Sequence, residues 1–281
     1  MRVVHTVAEM VSAQREAARP LGLVPTMGAL HDGHLSLVRR ARGESATVVA
    51  SIFVNPTQFG PQEDLRAYPR TLERDLALLE KGGADLVFTP QQEDMYPSGF
   101  DTWVEVGRLA HRLEGESRPG HFRGVATVVA KLFNIVRPER AYFGQKDAQQ
   151  VQVIRQLNAD LNLGVQVVVA PTVREPDGLA MSSRNVFLSP QERQAAPVLH
   201  RSLSLAERMH SQKERNAANI KEAMGRLLQT EPLARLEYVS IATPETLEEM
   251  EVIQGPALVS LAVRMGKTRL IDNILLGAQG P

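Results

Sequence analysis

The sequence predicts an open α/β sheet that gives way to a smaller α+β unit. Three observations carry that expectation. Residues 46–54 form a near-continuous apolar run rich in β-branched side chains, the pattern of a strand covered on both faces, as in parallel sheets. Such runs alternate with stretches of helical periodicity as far as Ala170, which implies strand–helix–strand units with right-handed crossovers. After Ser189 the alternation stops: helices come first and three strands follow, so a domain boundary falls near residue 175.

Each element follows from its own pattern. Val7, Met10 and Val11 lie at helical spacing in a helix that ends before Pro20. Residues 21–26 form the first strand, and Leu35, Leu37, Val38 and Ala41 mark the helix after it. The strand over 46–54 leads into a loop, 55–61, announced by Asn-Pro and Gly-Pro. A helix over 71–81 is stopped by Gly82-Gly83, and 84–89 is the next strand. Residues 90–106 are irregular. A helix reaching Val136 opens at 120–124, and 140–144 is a short strand. A helix begins at Gln145-Lys146-Asp147 and runs to about Leu161, and 165–170 is a strand. Residues 171–185 form a loop broken by Pro176-Asp177-Gly178. Ser189 caps a helix, with Pro190 first and Glu192 three residues on; a second helix covers 216–229. Strands over 236–241, 257–263 and 269–275 complete the chain.

Composition narrows the function classes. The 281 residues are 43% hydrophobic, enough for a sizeable core. Lys+Arg and Asp+Glu both number 32, so the net charge of +0 gives nucleic acid or an anionic membrane no general attraction, and neither is expected as a partner. With no cysteine, thiolate nucleophiles, disulfides and Cys-ligated metals are excluded. No apolar run approaches the ~20 residues of a membrane span, and the first residues lack an apolar signal core, so a soluble cytoplasmic protein is expected.

The densest chemistry lies in Pro25-Thr26-Met27-Gly28-Ala29-Leu30-His31-Asp32-Gly33-His34, between the first long strand and the next helix. A helix entrance presents unpaired N–H groups and partial positive charge, and glycines let a phosphate approach the backbone. His31 and His34 would add donors there. Locally the pair also reads as a surface cap or as half of a metal site that lacks an obvious third ligand. In open α/β sheets the ligand crevice lies at the carboxyl ends of the strands, so His31/His34 and Asn55/Gln58, after consecutive strands, would share it.

Several separate stretches then agree. The HDGH turn, Phe53-Val54-Asn55-Pro56-Thr57-Gln58-Phe59, Gly120-His121-Phe122-Arg123-Gly124-Val125, Gly144-Gln145-Lys146-Asp147 with Gln149-Gln150, and Met181-Ser182-Ser183-Arg184-Asn185 together resemble the pantothenate synthetase (pantoate–β-alanine ligase) family. HxGH alone is shared across a wider nucleotidyltransferase superfamily, and MSSRN resembles its KMSKS-type loop; FVNPTQF and GQKD narrow the likeness. The resemblance implies a Rossmann-like ATP- and pantoate-binding domain over 1–175 and a smaller C-terminal lid domain over 176–281, usually in a homodimer. It implies that pantoate and ATP, with Mg2+, form pantoyl-adenylate, which β-alanine converts to pantothenate and AMP.

Residue by residue, the resemblance implies catalytic roles for His34, His31 and Lys146. His34 would protonate or hydrogen-bond the departing pyrophosphate. ATP would meet Met27, Gly28, His31, His34, Gly144, Lys146, Asp147, Val173, Met181, Ser182, Ser183 and Arg184. Gln58, Gln150 and Asn55 would hold pantoate or β-alanine, and Asp75 is the candidate magnesium ligand. His121 and Arg123 would support the site or the dimer, Tyr68 would line it, and residues 176–187 would form a gate with Gly178 supplying freedom. Two departures stand out: Gln145 where many members have Glu, and Arg74 beside Asp75 where some relatives have a second acid. Another nucleotidyl-transferring enzyme of the superfamily and a nucleotide-binding sensor without turnover are the competing readings.

Overall fold

A computed structural model describes residues 1–61, 63 and 65–277. The chain divides into two compact units, Met1–Gln145 with Gln149–Pro171, and Lys146–Ala148 with Thr172–Pro281.

The first unit contains β1 (Arg2–Val4), α1 (Val7–Glu16), β2 (Leu21–Thr26), α2 (Asp32–Glu44), β3 (Thr47–Ile52), α3 (Leu72–Gly82) and β4 (Leu86–Phe88). Short helices α4 (Gln92–Met95) and α5 (Glu114–Ser117) fill the irregular stretch, followed by α6 (His121–Val136), β5 (Arg140–Gly144), α7 (Ala148–Asp160) and β6 (Gln166–Ala170). The six strands lie in the order β1-β4-β3-β2-β5-β6, and every pairing is parallel. The open α/β sheet expected from the continuous apolar runs is therefore present.

Burial explains those runs. Leu23 and Val24, neighbours on β2, are both fully buried, as are Val48, Val49 and Ala50 on β3. Successive side chains point to opposite faces, so both faces are covered. One face packs Val24, Val48, Ala50 and Val87 against Leu37, Val38 and Ala41 of α2 and Leu79 of α3. Each such aliphatic side chain contributes about 1.5–3 kcal/mol of burial.

The strand order reverses between β2 and β5, and there the sheet opens. β2 pairs with β3 along its whole length, from Leu21 to Thr26, but with β5 only at Gly22 and Leu23. The carboxyl halves of β2 and β5 thus carry no ladder pairing, and in open α/β sheets that switch point is where ligands are received.

Three short features were invisible to periodicity. β1 is only three residues long, too few for any pattern, and is defined by its pairing with β4. Residues 145–147 form a 3-10 turn before α7 rather than its first turn. The helix opened by Ser189 is two helices, α8 (Pro190–Ala195) and α9 (Val198–Ser211), because Pro197 between them has no N–H to continue the ladder.

The second unit continues with α10 (Ala217–Gln229), β7 (Ala234–Ala242), β8 (Ala257–Met265) and β9 (Thr268–Leu276). Its strands form an antiparallel sheet in the order β7-β8-β9. Leu199, Leu203, Ile220 and Met224 from the helices pack on Val259, Leu261 and Val263. The Ser189–Glu192 capping box is present, and Asn216 caps α10. Among the described residues no helix is long and apolar enough to cross a membrane.

Candidate active site

The turn after β2 leads directly into α2, and two imidazoles cap that helix. His31 is the N-cap; its Nδ1 accepts from the Gly33 N–H at 3.1 Å. His34 occupies the third helical position, and its Nδ1 accepts from the His31 N–H at 3.4 Å. Two histidines thus build the reciprocal capping box that Ser/Thr and Glu usually make. Their ring centroids lie 4.1 Å apart. In a neutral imidazole, an Nδ1 that accepts leaves the proton on Nε2. Backbone N–H groups at the positive end of α2 polarise both rings from behind. Spacing predicted the helix entrance; the use of the histidines themselves as its caps is visible only in three dimensions.

Behind the histidines the backbone is left-handed at Gly28 (φ +80°) and Ala29 (φ +50°). A side chain at Gly28 would also crowd Asp75 Oδ2 and Ile52 Cγ2, at 3.1 and 3.2 Å from its Cβ position. Thr26 Oγ1 donates to the Ser51 carbonyl and accepts from the Gly28 N–H. Asp75, from the first turn of α3, is 1% exposed. Its Oδ2 accepts from Ala29 N–H at 2.8 Å, its Oδ1 from Leu30 N–H at 2.9 Å, and the Thr71 hydroxyl lies 3.2 Å from both oxygens.

The turn after β3 is a 3-10 turn over Pro56–Gln58, with Asn55 as its cap. Asn55 is 1% exposed and its amide is committed within the protein. Its Oδ1 accepts from the Thr57 hydroxyl and the Tyr96 hydroxyl, each at 2.9 Å. Its Nδ2 donates to the Gly124 carbonyl and to Gln58 Oε1, each at 3.1 Å. The last bond orients Gln58, whose Nε2 then points to the Met27 sulfur at 3.0 Å. A thioether is a weak acceptor, so a ligand oxygen would take its place readily. Met27 and Gln58, from different turns, are thereby brought together, while Asn55 serves Gln58.

The Gln58 backbone is held as well. His121 Nδ1 lies 2.8 Å from the Gln58 carbonyl, and the Arg118 guanidinium lies 3.0 Å from His121 Nε2. Arg118 has only donors, so His121 carries its proton on Nδ1 and donates to Gln58. Burial, and next the nearby Arg118 charge, push the His121 pKa down to about 4, so the ring is neutral near pH 7. Glu63 makes a two-pronged ion pair with Arg118, at 2.7 Å for each oxygen, and this pair holds the Glu63 carboxyl below its usual range despite burial. Sequence reading named His121 as a support but missed Glu63, Arg118 and Tyr96, which carry no motif. Tyr68 is buried edge-on against Phe59, and Arg123 stacks 5.0 Å over Trp103.

The two glutamines of α7 part company. Gln149 is buried, donating to the Leu109 and Arg112 carbonyls and accepting from Glu114 N–H. Gln150 is half-buried.

In the second unit Lys146 and Asp147 are 3.8 Å apart, and Asn273 Nδ2 donates to the Lys146 carbonyl at 2.8 Å. Residues 173–181 form a hairpin in which Met181 N–H donates to the Val173 carbonyl at 3.0 Å, so those two expected ATP contacts are neighbours. Arg174 grips the buried Asp272 with both arms, at 2.6 and 3.1 Å, and also holds the Gly178 carbonyl. Arg193 binds Asp177 at 2.5 Å and keeps that carboxyl below its usual range. Gly178 has φ +92° and lies so close to the His200 ring that a side chain would collide with it. The freedom expected of this glycine is therefore used for a fixed, left-handed corner. Ser182 caps the 3-10 turn Ser183–Phe187 through the Arg184 N–H, at 3.2 Å.

Among the described residues no group of three or more His, Cys, Asp or Glu is arranged to hold a metal. What the first unit provides, in the turns after β2 and β3, is two imidazoles at a helix entrance and an oriented amide. Such groups suit an anionic, oxygen-rich ligand.

Comparison with known proteins agrees. The family model described as Pantoate-beta-alanine ligase matches residues 1–275. A pantothenate synthetase from Roseiflexus sp. is 59% identical over 278 residues, covering 99% of this chain and 100% of that one. One from Chloroflexus aurantiacus is 58% identical over 281 residues, covering 100% of both. The crystal structure of pantothenate synthetase from Thermus thermophilus superposes with a TM-score of 0.94 at 52% identity, covering 98% of this chain and 99% of that chain. A Francisella tularensis pantoate-beta-alanine ligase complexed with beta-gamma ATP and beta-alanine superposes with a TM-score of 0.83 at 35% identity, covering 100% and 99%. With a full-length family match, relatives near 59% identity and the same fold, this chain belongs to the pantoate–β-alanine ligase family.

Proposed function

We propose that this chain condenses pantoate with β-alanine, using ATP and releasing AMP and pyrophosphate, through a pantoyl-adenylate. The observation that carries the reading is the strand switch between β2 and β5, with His31 and His34 capping the helix that follows β2.

In the first step a carboxylate oxygen of pantoate bonds to the α-phosphorus of ATP. The bond from that phosphorus to the α–β bridging oxygen breaks, and pyrophosphate leaves with the electron pair. Charge grows on the α-phosphate and on the leaving group, where donors already in position stabilise it most. His31 and His34 would supply such donors, with His34 at the departing pyrophosphate. In the second step the β-alanine amine attacks the acyl carbon, the acyl–oxygen bond to AMP breaks, and the amine loses its proton.

Gln58, oriented by Asn55, would grip pantoate, with Gln150 completing the polar contacts. The backbone around Met27, Gly28 and Gly144 would receive the nucleotide. For the second unit we infer that Lys146, Asp147, Ser182, Ser183 and Arg184 bind ATP phosphates and ribose, with Val173 and Met181 against the base. Magnesium would accompany ATP as substrate. Asp75, the carboxylate expected to hold it, gives both oxygens to N–H donors of the turn. A cytoplasmic homodimer completes the reading, since closed two-fold dimers are the commonest oligomers.

The test is product identity. ATP, pantoate and β-alanine incubated with the protein should yield pantothenate and AMP by mass spectrometry, and pantoate should drive exchange of labelled pyrophosphate into ATP. Absence of pantoate-dependent exchange would defeat the proposal.

A further inference from the structure

We propose that Asp75 is a positioning residue whose buried carboxylate fills the amide nest at Ala29 and Leu30, fixing the left-handed turn that presents His31 and His34, and that it is not a magnesium ligand. The catalytic consequence rests on the function proposed above; the structural part does not.

Three observations converge. The carboxylate is 1% exposed, with one oxygen on each of two successive backbone N–H groups at 2.8 and 2.9 Å. Such charge-assisted bonds are about twice as strong as neutral ones. The Thr71 hydroxyl, one turn earlier, reaches both oxygens at 3.2 Å, so three donors converge on the group. The N–H groups it binds are those of left-handed Ala29 and of Leu30 after it, and Ala29 is a residue that does not adopt φ +50° without support. Successive N–H groups in such a turn form an anion-binding concavity.

Here the protein fills that concavity with its own anion. A substrate phosphate therefore cannot use the Ala29 and Leu30 amides, and recognition of its charge passes to the imidazoles one residue further on. A magnesium ligand, in contrast, must direct a lone pair at the metal, and Mg2+ demands near-octahedral oxygen geometry. The Asp75 oxygens are instead directed at N–H and O–H donors. Its chain neighbour on the N-terminal side, Arg74, adds a cation rather than a second carboxylate.

Amide hydrogen exchange on the substrate-free protein, read by NMR, tests the structural half. Ala29 and Leu30 should be protected in the wild type, and Asp75→Asn should speed their exchange about tenfold or more, because one oxygen is replaced by an NH2 facing an N–H. The same variant should disturb the Nε2–H imidazole signals of His31 and His34. Pantoate-dependent pyrophosphate exchange should fall about 100-fold in kcat, since misplacing catalytic groups by an ångström has that scale. Binding of Mn2+ in the presence of ATP, followed by electron paramagnetic resonance, should stay within twofold of wild type. Unprotected Ala29 and Leu30 amides in the wild type, or a tenfold loss of Mn2+ affinity in Asp75→Asn, would overturn the proposal. Should Asp75→Asn fail to fold, Thr71→Val removes one donor and keeps the shape. It should raise exchange at the same two amides about threefold, and unchanged exchange would count against the clamp. A wild type that makes no pantothenate defeats the functional reading alone, because exchange and imidazole signals are read without substrates.

Discussion

The turns after β2 and β3 end neighbouring parallel strands and both carry motif residues, yet they use their polar side chains in opposite ways. In the first, each histidine spends its Nδ1 on a backbone N–H of the helix entrance. In the second, Asn55 spends its whole amide on Thr57, Tyr96, Gly124 and Gln58, and Gln58 is proposed to meet the ligand. A motif therefore marks which residues belong to a site, but hydrogen bonding decides which of them meets the substrate and with which atom.

The largest effect should come from the histidine pair of the first turn. His34→Ala should lower adenylate formation by about 100-fold or more while ATP affinity changes far less, as for a group that acts in the transition state. Equal losses in ATP binding and in single-turnover chemistry would break the distinction. Asn55→Ala comes next, because it should act through Gln58. We expect kcat/KM for pantoate to fall about tenfold or more, KM for ATP to stay near wild type, and stability to drop by about 1–3 kcal/mol from the stranded partners. A pantoate defect with no loss in denaturant midpoint would instead make Asn55 a direct ligand.

The third test concerns His121, which holds Gln58 from behind. Its pKa of about 4 lies below the ordinary 6.5, so the unfolded chain binds the extra proton first as pH falls. Its contribution is complete above about 6.5 and is lost as pH drops toward 4, amounting to about 3 kcal/mol at most. Urea unfolding at pH 7 and pH 4.5 should show a smaller difference for His121→Gln than for wild type; an unchanged difference would remove His121 from the account. The smallest effect on stability separates the adjacent glutamines. Gln149→Ala should cost about 1–2 kcal/mol, whereas Gln150→Ala should leave the midpoint unchanged and weaken pantoate binding. Reversed outcomes would exchange their roles.

Much of this was legible in the chain. The continuous apolar run at 46–54 foretold a strand buried on both faces, and HDGH at a strand–helix junction foretold a helix-entrance site. Missed features share one physical cause: they depend on partners distant in sequence. β1 exists by pairing with β4, Glu63 matters by holding Arg118, which reaches the Gln58 carbonyl, and Asp75 looked like a surface or metal carboxylate until its partners at Ala29 and Leu30 were known.

By itself the sequence determined the alternation of elements, the positions of the strand–helix turns and the family, because periodicity, capping residues and short motifs are local properties. Tertiary structure alone decided where the sheet splits, which imidazole nitrogen carries the proton, and that Asp75 binds backbone rather than facing solvent. Those are questions of which donor meets which acceptor, and a buried polar group is satisfied by whatever the fold brings within hydrogen-bonding distance.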